Sequence, residues 1–356
     1  MKITKLLGVL FLGGILFTSC SDDEAPSSPK VDYGNGILIS GEGTQSVSGS
    51  VTFVSNDLSV VENTIYKKVN DAEFGEYVQS IAFDNDRAYI VADNQNTVTV
   101  VDKNTFDKAG TITTGLSTPR YMTIVGNKGY VTNWGATDND NDDFVAIVDL
   151  NSLVVEEKVE VALGPERIIA KDGKLYVSHL GAFGSNNKVV VIDIATKSVV
   201  KEITVKDNPD ELYLDSLGNL VVLSQGNTVY DENWNVIENT LAAISFISTA
   251  SNEVVSELVF NEGEHPSQMV LEGNDIYYNL GNSIYKTDVN ATTLPASELF
   301  TTDSGYLYGL GVRNNEIFVL DANFSGNSKL DIYDLLAKTK KETKEVALGA
   351  SKIYFN

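Results

Sequence analysis

Lys188-Val-Val-Val-Ile-Asp-Ile-Ala-Thr-Lys-Ser-Val-Val-Lys-Glu-Ile-Thr-Val205 is the stretch on which the fold turns. Val189–Ile192 is apolar on both faces, so a strand there must be covered on both sides. Asp193, with Thr196 three residues on, supplies the side chains that close a tight turn on their own backbone. A second strand follows over Val199–Val205. This hairpin is one copy of a unit that recurs along the chain.

The unit has three landmarks. An inner strand runs into a turn and restarts on an apolar group: Ile81–Phe83 then Ala88–Val91, Met122–Val125 then Gly129–Thr132, Ile168–Ala170 then Leu175–Ser178, with further copies at 212, 269 and 310. The turns between them, such as Asp172-Gly173 and Gly273-Asn274, carry hairpin chemistry. Next comes an apolar strand ending at Asp102, Asp149, Asp193, Asp288 or Asp334, and then an outer strand such as Val155–Val161. The fifth unit lacks the aspartate and reads Phe246-Ile-Ser-Thr249. Four strands recur in about 41 to 57 residues, the span of a propeller blade or slightly more. Helical periodicity is almost absent, and its best candidate, Tyr333–Lys341, falls on a hairpin position of the repeat.

The two ends complete one another. Gly36–Ser40 starts at the second landmark with no inner strand before it. Ala347-Leu-Gly-Ala-Ser-Lys-Ile353 matches Ala162-Leu-Gly-Pro-Glu-Arg-Ile168, so Ile353–Phe355 is an inner strand with no blade after it. Six intact units and one shared blade predict an all-β, seven-bladed β-propeller over residues 34–356. Its blades are four-stranded and antiparallel, and the ring is closed by pairing the N- and C-terminal strands, which leaves few open edges. Gly129-Tyr-Val-Thr-Asn133 and Val189–Val200 resemble the YVTN-type β-propeller repeats of bacterial surface and periplasmic proteins. The resemblance implies the fold; propellers host enzymes, binders and scaffolds alike.

Met1–Ser19 has Lys2 and Lys5, then the apolar run Leu6–Phe17, then small residues before Cys20, the only cysteine. That is the pattern of a secretory signal peptide, too short in its apolar part for a spanning helix. It resembles a lipoprotein signal, which implies lipidation at Cys20. Residues 20–33 then form a tether whose Ser21-Asp-Asp-Glu24 resembles the surface-export signal of some Gram-negative lipoproteins. The expectation is an outer-membrane protein held by its lipid and facing outward. With 49 Asp and Glu against 26 Lys and Arg, the net charge of −23 repels phosphate backbones and excludes nucleic acid as a partner.

In a propeller the loops leading into inner strands, and those after second strands, gather on one face around the axis. Here they carry Tyr77, Arg120, Trp134, Arg167, His179, Phe183, Tyr230, Trp234, Tyr306, Tyr308 and Phe324, including both tryptophans. Acids and amides (Glu42, Asp93, Glu166, Asp210, Glu211, Gln268) and Lys352 fall in the same loops. Aromatic faces rimmed by polar groups suit a flat ligand with a polar edge. In overall architecture the chain is similar to surface lipoproteins that capture vitamin B12, which implies a corrinoid ligand and delivery to a TonB-dependent outer-membrane transporter.

Two other classes stay open: a metal-dependent propeller hydrolase or lyase, and a structural or glycan-binding surface scaffold. Two histidines and no Ser-His-Asp order argue against catalysis, so the chain reads as a binder that requires no cofactor. Asp138, Asp140 and Asp142 alternate as in an EF-hand loop, which makes Ca²⁺ a candidate ion. Asp143 nevertheless stands where that loop needs glycine, no helices flank it, and a solvated acidic loop is the simpler reading.

Overall fold

The computed structural model describes residues 31–136 and 138–356; the signal segment, Cys20 and the tether up to residue 30 lie outside the described residues. The described chain forms seven four-stranded antiparallel sheets, the blades of a propeller. Their inner strands are Ala350–Phe355 (blade 1), Val78–Phe83 (blade 2), Pro119–Val125 (blade 3), Pro165–Lys171 (blade 4), Pro209–Leu214 (blade 5), Met269–Glu272 (blade 6) and Leu307–Arg313 (blade 7). Blade 1 is shared by the two ends: Gly36–Gly41 pairs with Ala350–Phe355, placing Leu38 opposite Tyr354 and Ser40 opposite Lys352.

The hairpin at the centre of the sequence argument comprises strands Lys188–Asp193 and Ser198–Thr204. Asp193 Oδ1 accepts the Thr196 N–H at 2.8 Å and its hydroxyl at 3.0 Å. Asp102, Asp149 and Asp334 accept the equivalent N–H groups at 2.8 Å each. In the fifth unit Ser248 ends the strand instead, and its hydroxyl receives the Ser251 N–H.

The core lies between blades. Tyr89, Val98 and Val100 of blade 2 pack on Met122, Val131 and Phe144 of blade 3, all buried, and the same arrangement recurs around the ring. The third strand of a blade is therefore covered on both faces, which is why Val189–Ile192 is apolar throughout, while the outer strand Ser198–Thr204 is largely exposed.

Three features depart from the repeat. A six-residue helix, Ile65–Asn70, follows the outer strand of blade 1, and its Tyr66 stacks on Phe74 at 4.1 Å. A separate hairpin, Thr228–Tyr230 with Val236–Asn239, is inserted after the second strand of blade 5 and accounts for the length of that unit. Blade 6 keeps only Phe300–Thr301 as its outer strand. Among the described residues no helix is long and apolar enough to cross a membrane.

Candidate functional site

The site is built by an irregularity that recurs in six of the seven blades, blade 6 being the exception. In blade 3, Pro119 pairs with Asn133 and Met122 with Val131, so Arg120 and Tyr121 together oppose Thr132. Glu166 and Arg167 oppose Ser178 in blade 4, and Asp210 and Glu211 oppose Leu223 in blade 5. Such a bulge bends the strand and re-aims its side chains. Here it brings both residues of each pair to the axis.

In blades 3 and 4 the hydroxyl opposite the bulge holds it in place. Thr132 Oγ1 accepts the Tyr121 N–H at 2.9 Å and donates to the Glu166 carbonyl of the next blade at 2.7 Å. Ser178 does the same between the Arg167 N–H (3.1 Å) and the Asp210 carbonyl (2.8 Å). In blade 6 the Asn279 Oδ1 takes the Gln268 N–H at 2.8 Å. The Thr of Tyr-Val-Thr-Asn is thus a rivet between blades and supplies the acceptor that the Tyr121 N–H needs.

Two cavities lie along the axis. The upper one, about 410 Å³, opens among the leading loops and is lined by the first residue of each pair together with Tyr77, Trp134, Tyr306 and Tyr308. The lower one, about 340 Å³, is lined by Arg167 and Glu211 above apolar residues. Tyr121, Gln268 and Lys352 line both and form the layer between them.

The upper cavity is strongly charged. Arg120 grips Glu166 through Nε and Nη2, both at 3.0 Å, and reaches Asp93 at 2.5 Å. Its guanidinium lies 3.8 Å from the centre of the Trp134 ring, a cation–π contact. Arg167 holds Asp210 at 2.9 Å and Glu211 at 2.5 Å and sits 4.5 Å over Tyr121.

Burial pushes the Asp93 and Glu166 carboxyls up, against the pull of Arg120. Glu211 is also raised by burial and by neighbouring Asp210, against Arg167. Asp210 goes the other way: burial works against its charge, but Arg167 and Lys352 outweigh it and hold the carboxyl below its usual range. Four acids crowded at one axis cannot all ionise with equal ease, and the two arginines they share set the order.

The aromatic candidates fall into three places. Tyr77, Trp134, Tyr306 and Tyr308 line the upper cavity. Tyr306 stacks on Tyr308 at 5.0 Å, Phe324 meets Tyr308 edge-on at 5.8 Å, and the Tyr308 hydroxyl donates to Glu42 at 3.4 Å. Phe183 stands 74% exposed on the rim, its ring against the edge of Trp134 at 5.7 Å. Trp134 also has a buried indole N–H with no acceptor among the described residues.

Tyr230 and Trp234 lie elsewhere. They sit on the inserted hairpin, touch each other at 6.0 Å and line neither axial cavity; Trp234 is 82% exposed. His265 fastens that hairpin through Asn239 Oδ1 at 2.6 Å.

His179 is fully buried rather than presented on the face. It occupies the register of Asn133, opposite the proline of its inner strand, and clamps the leading loop through Nδ1 and the Leu163 carbonyl at 3.2 Å. Burial drops its pKa to about 4. In the acidic loop both Asp142 oxygens receive the Ala136 N–H at 3.1 Å. Asp138, Asp140 and Asp142 do not converge: among the described residues no three His, Cys, Asp or Glu side chains are gathered as a metal ion requires.

The sequence reading favoured aromatics over the acids that fill the axis. The signal was present in Pro119-Arg-Tyr121, Pro165-Glu-Arg167 and Pro209-Asp-Glu211, where a proline precedes each axial pair at the same register.

No curated protein matches the sequence. Among solved structures, a quinonprotein alcohol dehydrogenase-like protein from Bacteroides thetaiotaomicron superposes with a TM-score of 0.63 at 16% identity, over 91% of this chain and 79% of that one. The periplasmic gluconolactonase of Pseudomonas aeruginosa gives 0.60 at 12% identity, covering 90% and 98%. Hydrazine synthase of Kuenenia stuttgartiensis gives 0.58 at 18%, covering 76% and 86%. At these identities the likeness is one of fold. Residues 35–348 match the family described as a domain of unknown function, DUF5074, and the chain belongs to that family.

Proposed function

We propose that this propeller captures a small ligand at the upper axial cavity without transforming it. The observation that carries the reading is the composition of that cavity. Trp134, Tyr306 and Tyr308 offer apolar faces beside Arg120, Gln268 and Lys352, and the Trp134 N–H lacks an acceptor. Capture is favoured over hydrolysis because the acids nearest the axis are already held by Arg120 and Arg167. The solved propellers it resembles include a gluconolactonase, and hydrolysis remains the competing class.

The finer reading is a corrinoid, supplied by the architectural resemblance to B12-capturing lipoproteins. A whole corrinoid with its amide arms is larger than this cavity, so it would lie across the mouth on Phe183, Tyr306 and Phe324, with amide arms reaching inward. Lipidation at Cys20 would tether the propeller at the outer membrane, where it would pass the ligand to a TonB-dependent transporter. Calorimetric titration with cyanocobalamin tests the assignment. Tight binding that weakens about tenfold or more in Trp134→Ala supports it, since an aromatic anchor carries a large share of binding energy. Absence of both heat and thermal shift removes the corrinoid, and a panel of sugars, lactones and divalent ions then separates capture from hydrolysis.

A further inference from the structure

The lower axial cavity has a ceiling of donors and walls of hydrocarbon. Lys352 reaches it from the last strand; its charge is felt by Glu42 and Asp210, but its ammonium forms no direct salt bridge among the described residues. The Tyr354 hydroxyl accepts the Ile81 N–H at 2.9 Å, and its own proton has no acceptor among the described residues. Tyr121 is in the same state: its oxygen receives Gln79 Nε2 at 3.5 Å and its proton goes unclaimed.

The one carboxylate that lines this cavity, Glu211, has both oxygens engaged, by Arg167 at 2.5 Å and Tyr213 at 3.3 Å. Three donors therefore face the cavity with no acceptor to meet them. The three side chains are half-buried and line the cavity wall, so their donors are open to a ligand that enters it. Below them Ile81, Val270, Leu310, Val312 and Ile353 make an aliphatic wall.

We infer that the lower cavity is a second binding site, separate from the mouth, for an aliphatic carboxylate. Its head would accept from Lys352, Tyr354 and Tyr121, and its chain would run along Ile81, Leu310 and Val312. Lys352 selects an acid over an alcohol or amine, since Arg167 is already taken up by Asp210 and Glu211 and Lys352 forms no salt bridge among the described residues. Gly311 keeps the passage open: a Cβ there would stand 3.1 Å from Phe355 Cζ and 3.3 Å from Ile353.

Titration of the purified protein with octanoate, and in parallel with octanol, tests the inference. One octanoate binds per chain and octanol binds more weakly. Lys352→Gln weakens octanoate by about tenfold or more, the worth of a hydrogen bond to a charged group. Lys352 lines both cavities, so Tyr354→Phe, which touches only the lower one, fixes the location. It weakens octanoate by about three- to tenfold, as loss of one uncharged donor should. Melting curves establish that each variant is folded. The inference is overturned if octanoate does not bind at millimolar concentration, if octanol binds equally well, or if folded Tyr354→Phe binds octanoate as the native protein does.

Discussion

Replacing Arg120 with Met removes one guanidinium from between two carboxylates while keeping an apolar stem against Trp134. The side chains of Arg120, Asp93 and Glu166 are only 11%, 12% and 3% exposed. Removing one partner of a buried ion pair costs about 3–5 kcal/mol, because the charge left behind is uncompensated. Glu166 sets the magnitude, being the deeper of the two acids and losing two hydrogen bonds of 3.0 Å. The cost must depend on pH. Burial already raises both carboxyls against Arg120, and without the arginine they rise further.

Unfolded carboxylates titrate near about 4, so above that pH the folded variant holds protons that the unfolded chain has released. Its stability is therefore full below the unfolded pKa and is lost as pH rises through the folded one. Urea unfolding followed by circular dichroism should show a loss of about 3–5 kcal/mol at about pH 7.5 and a clearly smaller loss at about pH 5. Adding Glu166→Gln, which removes the stranded charge, should restore part of the loss at the higher pH. A cost below about 1 kcal/mol, or one that ignores both pH and the second substitution, would refute the idea that this pair is buried and mutually dependent.

Three further outcomes follow from the same geometry. Burial depresses His179 to about 4, so its contribution is present above the unfolded value and is lost as pH falls from about 6.5 toward 4; His179→Asn, matching Asn133 in register, should flatten the acid limb of the stability profile, and unchanged slopes in urea midpoints would count against this. Gly164 has φ +70, and a Cβ there would stand 2.2 Å from the Ala182 nitrogen. Gly164→Ala should therefore cost about 3 kcal/mol or more, and a melting temperature equal to the native one would contradict the loop geometry. Trp234→Ser should change stability by less than about 0.5 kcal/mol and leave ligand capture at the mouth intact, since the ring is exposed and lines neither cavity; a loss of binding would move the site onto the hairpin.

Strand order, turn chemistry and blade number were legible without coordinates. Each is local or periodic: Asp193 and Thr196 close their turn within four residues, and the apolar run before them declares a strand covered on both faces. Closure was legible too, because Gly36–Ser40 and Ile353–Phe355 are two fragments of one repeat. The loops that reach the axis could be named for the same reason. Their side-chain roles could not. Arg120 meets Asp93, 27 residues before it, and Glu166, 46 residues after it, only because closing the ring brings three blades to one axis.

The bulge that aims the Arg120-Tyr121 pair depends on the Thr132 hydroxyl in the neighbouring strand, and nothing in the pair itself announces it. His179 and Trp234 show the same limit from the other side. Both stand in loops that periodicity assigns to the ligand face. Burial made one a clamp, and an inserted hairpin carried the other clear of the cavity. Periodicity records which strand a residue follows and how often the unit returns. Partners across the axis depend on how seven rigid sheets meet, and that distance exists only once the ring is closed.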